Sequence, residues 1–285
     1  MRWRGDGPVM GWTGDGGGGE RESAVRFGEE LAFRVAGARR CLGVWRGGRR
    51  TACPGWGTVP VRGTRAQCAE CAGIDRAQSV AADTMADDPR PYHVYLAWFG
   101  DGLVKVGITG VARDSARLLE QGALSFTWLG QGPLMAARRA EELLRVALGV
   151  PDRIPYESKR LVRGAGTRGA EDELGAAHRI AVGLEGWPES LARLPCQVVG
   201  HGEVFGLGAV DRVDAVVSGL GEGDVVAGRV VAAAGPDLHL VEPDGRRLVV
   251  DTRLLAGWPL ERGPGDGAGR GPEVRDVPGV QGGLF

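Results

Sequence analysis

Four cysteines in one short span constrain this chain more than any other feature. Cys41, Cys53, Cys68 and Cys71 fall as C-x11-C-x14-C-x2-C. The Cys68-x2-Cys71 half is the tight thiolate turn of a zinc knuckle, and Cys41 and Cys53 can meet across a hairpin turning at Gly47-Gly48. Four thiolates around one tetrahedral ion make a closed structural site, and zinc is the natural occupant. An iron–sulfur cluster is disfavoured because the spacing is not dense enough. The plainer reading is unconnected buried thiols, which rarely fall four together. Met1-Arg-Trp-Arg-Gly-Asp6 has no apolar segment of a secretory leader, and no run of about 18 apolar residues occurs. The chain therefore reads as cytoplasmic, with no membrane partner, where clustered thiols serve as ligands rather than disulfides.

A net charge of -1 offers no global sign of nucleic-acid binding, so any such signal must be local. Between Arg39 and Arg65 lie seven arginines and no acidic residue, interleaved with Trp45 and Trp56. Such a surface could grip phosphate through guanidinium forks and stack on bases. Equally, arginine exceeds lysine throughout and glycine is abundant, as in a high-G+C bacterial genome, so the run could be coding bias on a solvated face.

The second informative stretch runs from Tyr92 to Leu148. Tyr92 to Phe99 suits a strand, Gly100-Asp-Gly102 a turn, and Leu103 to Thr109 a returning strand. Val111 to Gln121 reads as a helix with Arg113 and Arg117 on one face, stopped at Gly122. Leu124, Phe126 and Trp128 alternate as a third strand, and Pro133 opens a second helix. In that helix Leu134, Ala137, Glu141, Leu144 and Leu148 share a stripe, which sets Glu141 among apolar residues. A carboxylate there is costly unless it is paired or bound to a cation. An ion pair with an arginine and a metal or phosphate site both satisfy that requirement.

This β-β-α-β-α order resembles the GIY-YIG nuclease superfamily, in particular its branches with a Lys-Ile-Gly-like second motif. His93-Val94-Tyr95 stands at the first triplet, Lys105-Val106-Gly107 at the second, Arg117-Leu118 at the helical arginine and Glu141 at the metal-binding glutamate. The resemblance covers about a fifth of the chain. It implies phosphodiester hydrolysis with one divalent ion, Mg or Mn, held by Glu141. Arg117 would stabilise charge on phosphate, and Tyr95 would position or deprotonate water. Lys105 replaces the second tyrosine and cannot do phenol chemistry, though it can meet phosphate as a point charge. Arg113 and His93 stand in second rank, His93 because alternation puts it on the face of Tyr95.

With 285 residues and 43% hydrophobic content, two or three small domains fit. The expected division is a disordered glycine-rich lead (1–25), a four-cysteine zinc module (26–75), a linker (76–91) and the GIY-YIG-like core (92–150). Covering helices with a basic flank (151–195), a small β domain (196–260) and a disordered tail (261–285) follow. The covering helices are read at 170–184 and 188–194. Short strands from Cys196 onward, with a tight turn at Pro243-Asp-Gly245, suggest an SH3-like or OB-like barrel or sandwich. The fold class is thus α+β. The order of four-cysteine module, core and C-terminal strands ending in Asp251-Thr-Arg253 also resembles a bacterial and archaeal family of unknown function, over residues 39–260.

His178, His201 and His239 are scattered and read as ordinary residues, and Cys196 as a buried thiol at a strand start. Gly200 to Gly208 reads as a loop and a strand. No phosphate-loop or dinucleotide fingerprint occurs. The leading expectation is a zinc-containing protein that engages DNA or RNA and could act as a metal-dependent endonuclease. The alternatives are a non-catalytic zinc-dependent nucleic-acid binder and a protein-interaction scaffold.

Overall fold

The computed structural model describes residues 1–5, 7–14, 20–46, 49–83, 88–163 and 167–277. The Gly47-Gly48 turn, residues 84–87 of the expected linker and the end of the tail lie outside them, while residues 76–83 of that linker continue the helix Ala69–Asp83. The chain divides into two compact units, Met1–Thr84 with Ala209–Phe285, and Met85–Gly208.

In chain order the first unit begins with β1 (Arg2–Arg4), β2 (Gly7–Thr13) and β3 (Glu20–Ala24). They form an antiparallel meander. Residues 1–25, expected to be disordered, thus carry a sheet. Trp3, Pro8 and Met10 on one face and Val9 on the other are buried, Trp3 Nε1 donates to Gly235 O at 2.9 Å, and Arg4 pairs with Glu22 at 2.7 Å. After β4 (Glu30–Val35) come the hairpin β5 (Val44–Arg46) and β6 (Arg49–Thr51), and α1 (Ala69–Asp83).

The second unit contains β7 (Pro91–Trp98), β8 (Val104–Gly110), α2 (Ala116–Gln121), β9 (Ser125–Pro133) and α3 (Leu134–Leu148). It continues with α4 (Tyr156–Val162), α5 (Ala170–Val182), β10 (Ala192–Arg193), β11 (Val199–Gly200) and α6 (Gly202–Phe205). The strands form an antiparallel sheet in the order β10-β9-β7-β8, with β11 also pairing with β9. Across β7 and β8, His93 faces Thr109, Tyr95 faces Gly107 and Ala97 faces Lys105. One cluster packs Tyr95, Ala97 and Phe99 against Leu118, Ala123 and Phe126. The alternate residues Val94, Leu96, Trp98 and Val106 are also fully buried, so the sheet is covered on both faces.

Four local expectations change. The helix over 111–121 is a 3-10 turn, Val111–Arg113, then α2, because Asp114 sits at φ 43 and breaks the register. Residues 188–194 form a turn and β10, since Leu191 is drawn in to pack on Gly130 and Gly132. Gly202–Phe205 is a helical turn stopped by Gly206, anchored by buried Phe205. Cys196 is exposed and outside any strand.

Returning to the first unit, β12 (Ala215–Gly219), β13 (Val225–Ala234), β14 (Asp237–Val241), β15 (Arg247–Asp251), β16 (Leu260–Arg262) and β17 (Glu273–Asp276) complete the chain. The strands expected as an independent barrel or sandwich instead form a seven-stranded sheet, β16-β4-β13-β14-β15-β12-β17. It recruits β4, with Phe33 against Val226, so this sheet and the cysteine region share one unit. β17 and β16 fall in the tail expected to be disordered; pairing with β12 and β4 orders them. The class is α+β. No helix among the described residues is long and apolar enough to cross a membrane.

Candidate functional site

Cys41 precedes β5, Cys53 follows β6, Cys68 stands just before α1 and Cys71 lies in its first turn. The hairpin and the helix start therefore converge, and all four Sγ atoms lie within 4.8 Å of one another. Cys53 and Cys68 are 4.0 Å apart, and none of the cysteines is disulfide-bonded. A tetrahedral ion with metal–sulfur bonds of ~2.3 Å needs sulfurs ~3.8 Å apart, so the donors fit one divalent cation after a small contraction. The backbone N–H groups of Cys68 and Gly43 donate to Cys41 Sγ at 3.1 and 3.4 Å. The N–H groups of Gly57 and Gly55 outweigh burial to hold the Cys53 thiol down to about 7. Burial and the neighbouring sulfurs push Cys71 well up. Four such thiols ionise together only with a cation among them.

On the second unit, β8 and the loop after α3 meet beside Tyr95. Tyr95 is 1% exposed and lies across Gly107, and its Oη accepts from Gln121 Nε2 at 3.1 Å. Lys105 is 8% exposed, with Nζ donating to Asp152 O at 2.8 Å and lying 5.9 Å from the Tyr95 ring centroid. Arg117 is half exposed and 4.0 Å from Glu120. Glu141 is half-buried on the inward side of α3. Arg117 and Glu141 both act electrostatically on Tyr95 and Lys105. The structure therefore brings Tyr95, Lys105, Arg117 and Glu141 together.

Burial raises the Tyr95 phenol, which stays protonated at neutral pH, opposed by Gln121 and Arg117. It also raises the Glu141 carboxyl, opposed chiefly by Lys105. Lys105 is pulled down to about 8, first by burial and then by Arg117. The unfolded chain keeps this proton to about 10.5 and the folded chain releases it near 8, so stability rises with pH across that window. Denaturant titrations should show a gain on the order of 3 kcal/mol between those limits that Lys105→Met lacks.

Arg113 is drawn off to Glu120 at 2.7 Å, a consequence of the break at Asp114. His93 stacks on Trp128 at 4.3 Å, and its Nε2 bonds Gln131 Oε1 at 3.0 Å. Because that oxygen can only accept, Nε2 carries the proton, and the buried Nδ1 has no partner. Glu142 pairs with Arg145.

The described arginines of the Arg39–Arg65 stretch divide between the interior and the surface. Arg39 is 1% exposed and donates to Ala256 O and Pro60 O, both at 2.8 Å. Arg50 reaches Leu42 O at 3.1 Å, and Arg62 pairs with Glu273 at 3.0 Å. Arg40, Arg49 and Arg65 remain exposed, as do Trp45 and Trp56, with the Arg2 guanidinium 4.6 Å from the Trp45 ring centroid.

Sequence reasoning missed Gln121, Asp152 and Lys159. Gln121 carried a signal, four residues after Arg117 on one short helix. The other two act across the fold. A family model described as a protein of unknown function, DUF2797, matches residues 28–260. No curated protein and no solved structure matches.

Proposed function

The chain belongs to the DUF2797 family, whose function is unknown, and on that footing we propose that it is a zinc-stapled protein that engages the phosphodiester backbone of DNA or RNA. The observation that carries this reading is that Arg117 and Glu141 stand near enough to act electrostatically on both Tyr95 and Lys105, which are on adjacent strands. Arg117 offers an exposed guanidinium, and Tyr95 a protonated phenol whose own hydrogen is free to donate, since Gln121 occupies its oxygen. Cys41, Cys53, Cys68 and Cys71 would hold zinc, which in a closed four-sulfur set supplies folding energy and no open coordination position.

A second reading, divalent-metal-dependent cleavage by a divergent GIY-YIG core, is favoured by Glu141 and by the order β7-β8-α2-β9-α3. Glu141 would hold an ion of the Mg or Mn kind, which keeps several waters and takes one or two carboxylates together with substrate phosphate. Bound there, it would supply charge neutralisation at phosphate. The chain itself would orient phosphate with Arg117 and hold the Tyr95 hydrogen toward the reacting group.

The test incubates the protein with labelled single-stranded, duplex and branched DNA and structured RNA, with Mg²⁺, Mn²⁺ or EDTA, and scores gel shift and cleavage together. Binding should weaken steeply with salt, and Arg117→Ala should cost roughly tenfold in affinity and lower the salt slope by about one. Cleavage that Glu141→Gln reduces by about 100-fold or more, with binding kept, would establish the second reading. Neither shift nor cutting from folded protein would leave the scaffold role.

A further inference from the structure

The segment from Asp152 to Val162 lies outside the β-β-α-β-α core, yet three of its polar groups reach that core. Asp152 O accepts from Lys105 Nζ at 2.8 Å, Tyr156 Oη donates to Glu120 O at 3.3 Å, and Lys159 Nζ donates to Gln121 O at 3.0 Å. Glu120 and Gln121 are the last two residues of α2, where main-chain carbonyls have no partner within the helix.

Lys159 is 4% exposed. Its ammonium lies 3.9 Å from the Phe99 ring centroid and 4.5 Å from that of Tyr156. A buried ammonium is costly to place, and two ring faces with a helix-terminal carbonyl are the surroundings that offset it. The hairpin turn is shaped to receive the same helix: Gly100 has φ +135, and a Cβ there would lie within 2.8 Å of two Val162 side-chain atoms. Gln121, whose main chain Lys159 holds, turns its side chain to Tyr95 and donates to Oη at 3.1 Å.

The geometry points to α4 as a positioning clamp for the Tyr95 site: Lys159, acting through Gln121, fixes the rotamer of Tyr95 and the direction in which its hydroxyl hydrogen can donate. Lys159 touches no reacting atom in this scheme and is a positioning residue. The chain of contacts is continuous, from Lys159 Nζ to Gln121 O, then through the Gln121 side chain to Tyr95 Oη. Its effect on function rests on the reading of this face as a phosphate site, whereas the coupling itself does not.

The chain holds three tyrosines, Tyr92, Tyr95 and Tyr156, so ¹³Cζ-tyrosine labelling yields a spectrum that Tyr→Phe variants assign. The Tyr95 signal reports the hydrogen bonding of its phenol at fixed pH. Gln121→Met, which keeps volume and removes the donor, should move that signal. Lys159→Met, which keeps the stem between the two rings, should move it in the same direction, and the double variant should move it no further than Gln121→Met alone. Nucleic-acid affinity should fall roughly tenfold in each.

An unmoved Tyr95 signal in folded Lys159→Met, or shifts that add in the double variant, would overturn the clamp. If Lys159→Met does not fold, Tyr156→Phe retains the ring and loses the tie to Glu120; it should shift Tyr95 the same way, and no shift overturns the proposal. Coupled Tyr95 shifts in a protein that binds no nucleic acid would sustain the clamp and reject the phosphate reading.

Discussion

Cys71→Ser should release zinc and unfold the region around β5, β6 and the start of α1, with a loss of about 4 kcal/mol or more. The apolar cluster there is small: Val44, Val59 and Ala66 are its buried members besides the cysteines, with Leu42 and Ala256 packed against it. So few apolar groups bury too little surface to hold this much irregular chain, and on the zinc reading metal–sulfur bonds would supply the remainder. The damage should spread. Arg39 donates to Ala256 O, and the Arg40 N–H donates to Gly257 O at 2.7 Å, so the cysteine region is fastened to the turn that follows β15. Metal content by mass spectrometry and a thermal melt with and without chelator check this. Less than about half an equivalent of zinc in the native protein, or a melt indifferent to strong chelator, would mean the sulfurs serve only as apolar packing.

Gly107→Ala should be nearly as damaging, for a different reason. A Cβ at position 107 would meet Tyr95 Oη far inside contact distance and stand 2.5 Å from Cζ. Tyr95 has no room to retreat, being fully buried among Phe99, Leu118 and Phe126 and bonded to Gln121. The expected cost is about 3 kcal/mol, the upper end for overpacking, together with displacement of the phenol from the polar cluster. Gly110→Ala on the same strand is the control: its nearest neighbour is Tyr92 Cε1 at 3.9 Å, ordinary contact distance, and φ is -62. Chemical denaturation of the pair should separate them by several-fold in cost. A Gly107→Ala protein as stable as the control would show that Tyr95 does not rest on β8 as described.

The cysteines, the β7–β8 hairpin and the third strand were legible because each is a local pattern. Ligand spacing, alternation of period two and the Gly100-Asp-Gly102 turn need no knowledge of distant residues. Glu141 was legible in the same way, as a carboxylate on an apolar stripe, and it lies half-buried. Lys105 was legible as a motif residue, but its burial and its tie to Asp152 O were not. The arginine run was legible only in part for a related cause: composition counts charges without telling which are used inside. Arg39 looks like its neighbours in sequence, yet it is one of the largest fully buried side chains of the protein.

By itself the sequence determined where the clustered cysteines fall, which stretches are strands and helices between Tyr92 and Leu148 apart from the break at Asp114, and that position 107 has no side chain to obstruct a neighbour. Tertiary structure alone decided that β4 joins the C-terminal sheet, with Phe33 against Val226, and that Arg113 turns to Glu120 after the break at Asp114. It also decided that Lys159 is buried behind Gln121. The division has one physical cause. Backbone periodicity is set by a residue and its near neighbours, whereas the partner of a strand edge or of a buried charge is whichever distant group the closed fold brings within hydrogen-bonding reach.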